Sequence, residues 1–101
     1  MEIRVQREDK TLTLYPVGPL AADSCGPARD RMMAEVELNR GITDVVVDLR
    51  AASLLDSTGI GILMGLRIHL SSRKVTFRLA NPSKPALDTI KMMNLGPVFG
   101  L

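Results

Sequence analysis

The sequence predicts an α/β fold: a central mixed sheet of about four strands with helices packed on it. Three observations carry this. Segments of alternating apolar and polar residues are interleaved with segments whose apolar residues recur at helical spacing. Val45-Val46-Val47 is a continuous β-branched run, which suits a central strand buried on both faces. Ile60 to Leu70 is a long helical segment, apolar on most sides.

The elements follow in order. Ile3 and Val5 alternate with Glu2, Arg4 and Gln6 in a half-buried first strand. Glu8-Asp9-Lys10 makes a turn. Leu12 and Leu14 then alternate with Thr11 and Thr13 in a second strand that ends near Tyr15-Pro16. Strands this close in sequence form a hairpin. Val17-Gly18-Pro19-Leu20 reads as a loop. Asp23 or Ser24 caps a first helix in which Ala28, Met32 and Val36 share a face. Pro27 sits in its first turn, and Arg40-Gly41 ends it. Ile42 to Leu49 is the third strand.

The second helix spans Ser57 to Ser72. Ile60, Leu63, Leu66 and Leu70 form its main stripe, and Gly61 and Gly65 lie four apart on one face. Val75, Phe77 and Leu79 alternate with Thr76, Arg78 and Ala80 in a fourth strand, which Asn81-Pro82 ends. Ser83 caps a last helix with Pro85 in its first turn and Leu87 and Ile90 facing inward. Gly96-Pro97 stops that helix. Residues 1–101 read as a single domain without linkers or repeats.

Composition narrows the function. With 101 residues, 46% of them hydrophobic, the chain can bury one core. No apolar run is long enough to span a bilayer, and the N-terminus lacks a signal-peptide pattern. Cys25 is the single cysteine, which fits a reducing compartment and a cytoplasmic location. The net charge of +2 is mild, and charges of both signs are spread along the chain. Aromatic residues make up 3%. Neither a basic stripe nor stacking platforms for nucleic acid are therefore present.

One motif stands out. Asp56-Ser57-Thr58-Gly59-Ile60-Gly61 follows the third strand and opens the second helix. A helix start has free N–H groups and the positive end of the macrodipole, so a phosphate on Ser57 would meet a favourable environment. By residue type and spacing alone, Ser57 reads first as an ordinary cap. Asp56 has two readings as well: the true N-cap, or a group that orients the Ser57 hydroxyl. Right-handed crossovers bring Gly18 to Asp23, Arg50 to Gly59 and Asn81 to Lys84 to one end of the sheet.

Val-Val-Val-Asp-Leu, a short spacer, and Leu-Leu-Asp-Ser-Thr-Gly-Ile-Gly together resemble the hallmark of the anti-sigma factor antagonists, founding members of the STAS domain family. The resemblance runs from the first strand to Asn81-Pro82-Ser83. It implies a STAS-like fold and phosphorylation of Ser57. It implies that the loop surface docks on an anti-sigma factor serine kinase with a GHKL-type ATP site. The residues it places in that docking surface are Gly18, Asp23, Asp56, Ser57, Thr58, Gly59, Ile60, Gly61, Asn81 and Ser83. A phosphatase would reset the switch, and a homodimer is compatible with it. No cofactor is implied.

Enzyme chemistry finds little support. Gly59, Gly61 and Gly65 follow a strand, but their spacing misses the dinucleotide fingerprint by one residue. No Gly-Lys-Ser/Thr ending exists for a P-loop. His69, the only histidine, lies about three helical turns from Ser57, too far to serve as its base. Cys25 near a helix start reads as a small apolar filler. No residues cluster as metal ligands. The chain is expected to supply a phosphoacceptor and no catalytic group.

It departs from the family pattern in a pI near 9.0, in Arg50 where a small polar residue is common, and in a short ending at Phe99-Gly100-Leu101. The last of these leads us to expect a reduced final element. These departures keep a second reading open: a stand-alone STAS subunit binding the ATPase of a lipid or solute transporter, or another signalling complex. A small-ligand sensor is the third class, and too few polar groups converge for it.

Overall fold

A computed structural model describes residues 1–101. Strand β1 (Glu2–Glu8) and strand β2 (Thr11–Leu20) form the expected hairpin, with Asp9 at φ 55° in its turn. A 3₁₀ turn at Ala22–Ser24 leads into helix α1 (Cys25–Leu38). Strand β3 (Asp44–Asp48), strand β4 (Ala52–Leu55), helix α2 (Ser57–Ser72), strand β5 (Thr76–Ala80) and helix α3 (Lys84–Met92) follow.

The sheet has five strands, not four. Its order is β1-β2-β3-β5, and β4 pairs with β2. The hairpin is antiparallel and the other pairings are parallel. β3 pairs with Thr11 to Leu14 of β2, and β4 takes over at Gly18 to Leu20. Two expectations fail together here. Val17-Gly18-Pro19-Leu20 is strand, not loop, and the spacer after β3 contains the extra strand that it pairs with. The register shifts between Gly18 and Pro19, and Gly18 has φ +98°. That irregularity lets β2 continue through residues that ordinarily break a ladder.

Burial follows side-chain alternation. Leu12, Leu14, Val45, Val47 and Leu79 face the helices and are buried. Their neighbours Thr11, Thr13, Tyr15, Thr76 and Arg78 turn to the opposite face, which carries no helix. Val46 and Asp48 lie on that open face yet are buried, because β3 runs between β2 and β5. From α2, Ile60, Leu63, Leu66 and Leu70 enter the core as expected; α1 contributes Ala28, Met32 and Val36.

The ends of elements differ in smaller ways. α1 stops at Leu38, where the Asn39 side chain donates to the Glu35 carbonyl at 2.7 Å. Ser24 stands at its N-cap, but the hydroxyl bonds back to Pro19 and Ala21 and not into the helix; Asp23 is exposed in the 3₁₀ turn. Gly96-Pro97 does not end α3, which stops at Met92, but opens a 3₁₀ turn at Pro97–Phe99. The short ending is structural: Phe99 is fully buried and meets Phe77 edge-on at 6.2 Å between ring centroids.

Candidate functional site

The carboxyl ends of the parallel strands are stitched together. Asp56 Oδ2 accepts the Ala22 N–H at 3.0 Å, which ties the β2–α1 turn to the start of α2. The Ser83 hydroxyl donates to the Ala52 carbonyl at 2.7 Å, and Thr89 Oγ1 to that of Leu55 at 2.9 Å. These bonds fix β4 against α3. The Leu49 N–H donates to the Ala80 carbonyl at 2.9 Å. The three crossover loops therefore form one surface.

Asp56 is the N-cap of α2. Its backbone is extended, and Oδ1 accepts the Gly59 N–H at 2.8 Å. This leaves Ser57 as the first helical residue, exposed, with its hydroxyl free of capping. Thr58 is exposed beside it. The arrangement differs from the sequence reading in one respect. The anion-binding end of α2 already holds the Asp56 carboxylate. The Gly59 N–H, with those of Ala22 and Thr58, keeps this carboxyl below the usual range. A second anion on Ser57, the next residue, would stand beside that carboxylate.

The other sequence-predicted docking residues divide. Gly18 and Asp23 lie along the β2–α1 side, with Asp23 exposed. Gly61 is exposed on α2, with open space where a Cβ would stand. Gly59 and Ile60 are buried and face inward. A Cβ on Gly59 would lie 2.2 Å from the Leu20 carbonyl oxygen. Asn81 and Ser83 are engaged in holding loops: Asn81 Nδ2 donates to Asp48 Oδ2 at 2.8 Å, and Ser83 Oγ accepts the Ala86 N–H at the start of α3.

Two residues at this end escaped the sequence reading. Asp48 is 3% exposed and ionised. Arg50 answers it with Nε at 3.1 Å, Nη2 at 3.0 Å and its backbone N–H at 3.0 Å. Burial pushes the Asp48 carboxyl up, but these bonds and Asn81 outweigh it and hold the group below the ordinary range. Arg50, the departure from the family pattern, is thus the counter-ion of a buried carboxylate. The signal was present as Asp-x-Arg at a strand end. Leu54 is the second: it is 48% exposed on β4, just before the start of α2.

Asp48→Asn is expected to cost about 1–3 kcal/mol at neutral pH. The folded Asp48 pKa is depressed, so its contribution is complete above the unfolded carboxylate range near pH 4. It is lost as pH falls through the folded value. Urea melts of parent and variant should differ clearly at about pH 7 and converge on acidification. A gap that stays constant with pH would show that the charge is not what stabilises.

Cys25 is buried, and burial, followed by the nearby Asp56 charge, raises its thiol pKa. His69 lies near the other end of α2, where Glu37 of α1 takes Arg73 at 2.8 Å and His69 at 3.3 Å.

No helix is long and apolar enough to cross a membrane. Comparison with curated protein sequences gives no match. Among solved structures, that of the anti-sigma factor antagonist SpoIIAA in its unphosphorylated form is similar, with a TM-score of 0.77 at 20% identity. The match covers 95% of this chain and 84% of that one. The STAS domain profile matches residues 2–101, and the chain belongs to the STAS domain family.

Proposed function

We propose that this domain is an anti-sigma factor antagonist: it docks on an anti-sigma factor serine kinase and is released when that kinase phosphorylates Ser57. The observation that carries this is the exposed Ser57 hydroxyl, set on the first turn of α2 with Asp56 doing the capping in its place. An acceptor must reach into another protein's active site, so it must be exposed, held still and free of internal duty. Ser57 meets all three. The fold shared with SpoIIAA supports the reading. Exposed Leu54 and the open glycine Gly61 supply apolar and close-approach contacts next to it.

In the step, Ser57 Oγ attacks the γ-phosphorus of ATP. The new O–P bond forms as the bond to ADP breaks, and the hydroxyl proton passes to a base of the kinase. The domain contributes the acceptor alone and is not an enzyme. The phosphate adds roughly −1.5 to −2 charge beside Asp56, and the docked surface then carries unpaired anions. A phosphatase restores the docking form.

The test is incubation with the kinase and ATP, followed by intact-mass measurement and fragment mapping. One phosphate is expected, on Ser57, and none on Ser57→Ala. Phosphate mapped to Thr58, Ser53 or Ser72 would refute the assignment. No transfer by a kinase that binds the domain would favour the other reading, a docking subunit of a transporter ATPase in which Ser57 is only a contact.

A further inference from the structure

A second site lies at the opposite end of α2. The junction of α2 and β5 forms a concavity of about 320 Å³ lined by Arg67, Ser71, Lys74, Val75, Thr76 and Phe77. We propose that it is an anion site for a phosphate monoester.

The first argument is charge. Arg4, Arg29, Arg31, Arg50, Arg73 and Lys84 each have a carboxylate within ion-pair distance. Arg67 and Lys74 have none; Arg7, Lys10, Arg40, Arg78 and Lys91 are unpaired too, but these two line one concavity. Glu37, the acid on the facing helix, is occupied by Arg73 and His69. Asp44, the acid beyond β5, accepts from the Thr43 and Thr76 hydroxyls and turns to the open face of the sheet. The Thr76 hydroxyl is therefore spent, whereas Ser71 Oγ is free to donate.

The second argument is rigidity. Lys74 is held at φ +61°, a left-handed conformation that costs a non-glycine residue energy. Its N–H donates to the Ser71 carbonyl at 3.0 Å, and the Val75 N–H to that of Leu70 at 2.9 Å. The turn that carries the ammonium group is thus locked to the end of α2.

The third is a backbone donor. The Thr76 N–H bonds to the Thr43 carbonyl, toward β3. Strand alternation then turns the Phe77 N–H to the free edge of β5, which has no further strand. Two cations, a hydroxyl and an edge N–H thus belong to residues that line one concavity, a donor set that suits a compact dianion.

Cations near a helix C-terminus also offset the macrodipole. That role needs no concavity and no ligand, so titration separates the two. Amide spectra would be recorded with inorganic phosphate and with glycerol 3-phosphate, against sodium chloride at matched ionic strength. Saturable shifts are expected at Ser71, Lys74 and Phe77. Arg67→Gln combined with Lys74→Asn, which suits the left-handed turn, should weaken binding about tenfold or more without lowering the melting temperature. Vesicles containing phosphatidic acid form a second arm. Sedimentation with vesicles that the double variant abolishes, without soluble binding, assigns the monoester to a lipid headgroup. Shifts of equal size at Arg7, Lys10 and Arg40, or binding in either arm that survives the double variant, would overturn the site.

Discussion

Ser57→Asp should lose affinity for the partner kinase by about two to three orders of magnitude while changing stability by less than about 1 kcal/mol. The two halves of this expectation have separate causes. In the free domain the side chain at position 57 is exposed on the first helical turn. A new carboxylate there gains from the helix end and loses to repulsion from Asp56, whose charge already occupies the capping position. The two effects offset each other, so the fold is indifferent. In the docked state the same charge is stripped of water against a partner, and nothing in this chain can pair with it. An interface charge left unpaired costs about 2–5 kcal/mol. Titration calorimetry with parent, Ser57→Asp and Ser57→Ala, beside melting curves, reads both halves. Ser57→Ala should bind like the parent. Undiminished binding by Ser57→Asp, repeated with the phosphorylated protein itself, would end the charge-switch account.

Gly59→Ala and Gly61→Ala should change stability in opposite directions although they lie two residues apart. A methyl on Gly59 would stand 2.2 Å from the Leu20 carbonyl oxygen and 2.7 Å from Leu55 Cδ1. The first neighbour is backbone of β2 and cannot rotate away. The start of α2 must lift off the sheet, or the strand must shift. Overpacking of this kind costs about 1–3 kcal/mol and more when backbone moves, well above the helix propensity an alanine adds. At Gly61 nothing lies within 4 Å of the new methyl, so propensity alone acts and Ala stabilises by up to about 1 kcal/mol. Denaturant melts at one pH decide both signs. If Gly59→Ala is neutral, the close approach of α2 to β2 is not what that glycine serves.

The contrast between these glycines also shows where sequence reading runs out. The helical stripe of α2 and the hairpin were legible because their apolar residues repeat with the period of the element. The start of α2 at Ser57 was legible because strand, spacer, motif and helix came in order. β4 was not. Ala52-Ser53-Leu54-Leu55 is too short for a period to show, and its partner in β2 contains Gly18 and Pro19, which read as a turn. Only the long-range pairing makes either of them strand. Whether a glycine is there for packing or for exposure is equally non-local: Gly59 and Gly61 look alike until Leu20 is brought against one of them. The Asp48–Arg50 pair was in plain view, but its meaning depends on burial that comes from β2 and β5 on either side.

The carboxylate of Asp56 joins Gly59 to Ala22, which stands 34 positions before Asp56 itself. Ser57 therefore has its observed setting only where the β2–α1 turn and the start of α2 have met. Such a contact closes a long loop and carries the entropic cost of ordering it. Nascent or damaged copies of the domain would carry the same Asp-Ser-Thr letters without the shape. With Ser57 as the proposed acceptor, a kinase that reads the shape would spend ATP on finished molecules alone, so phosphate on the domain would mark a folded copy.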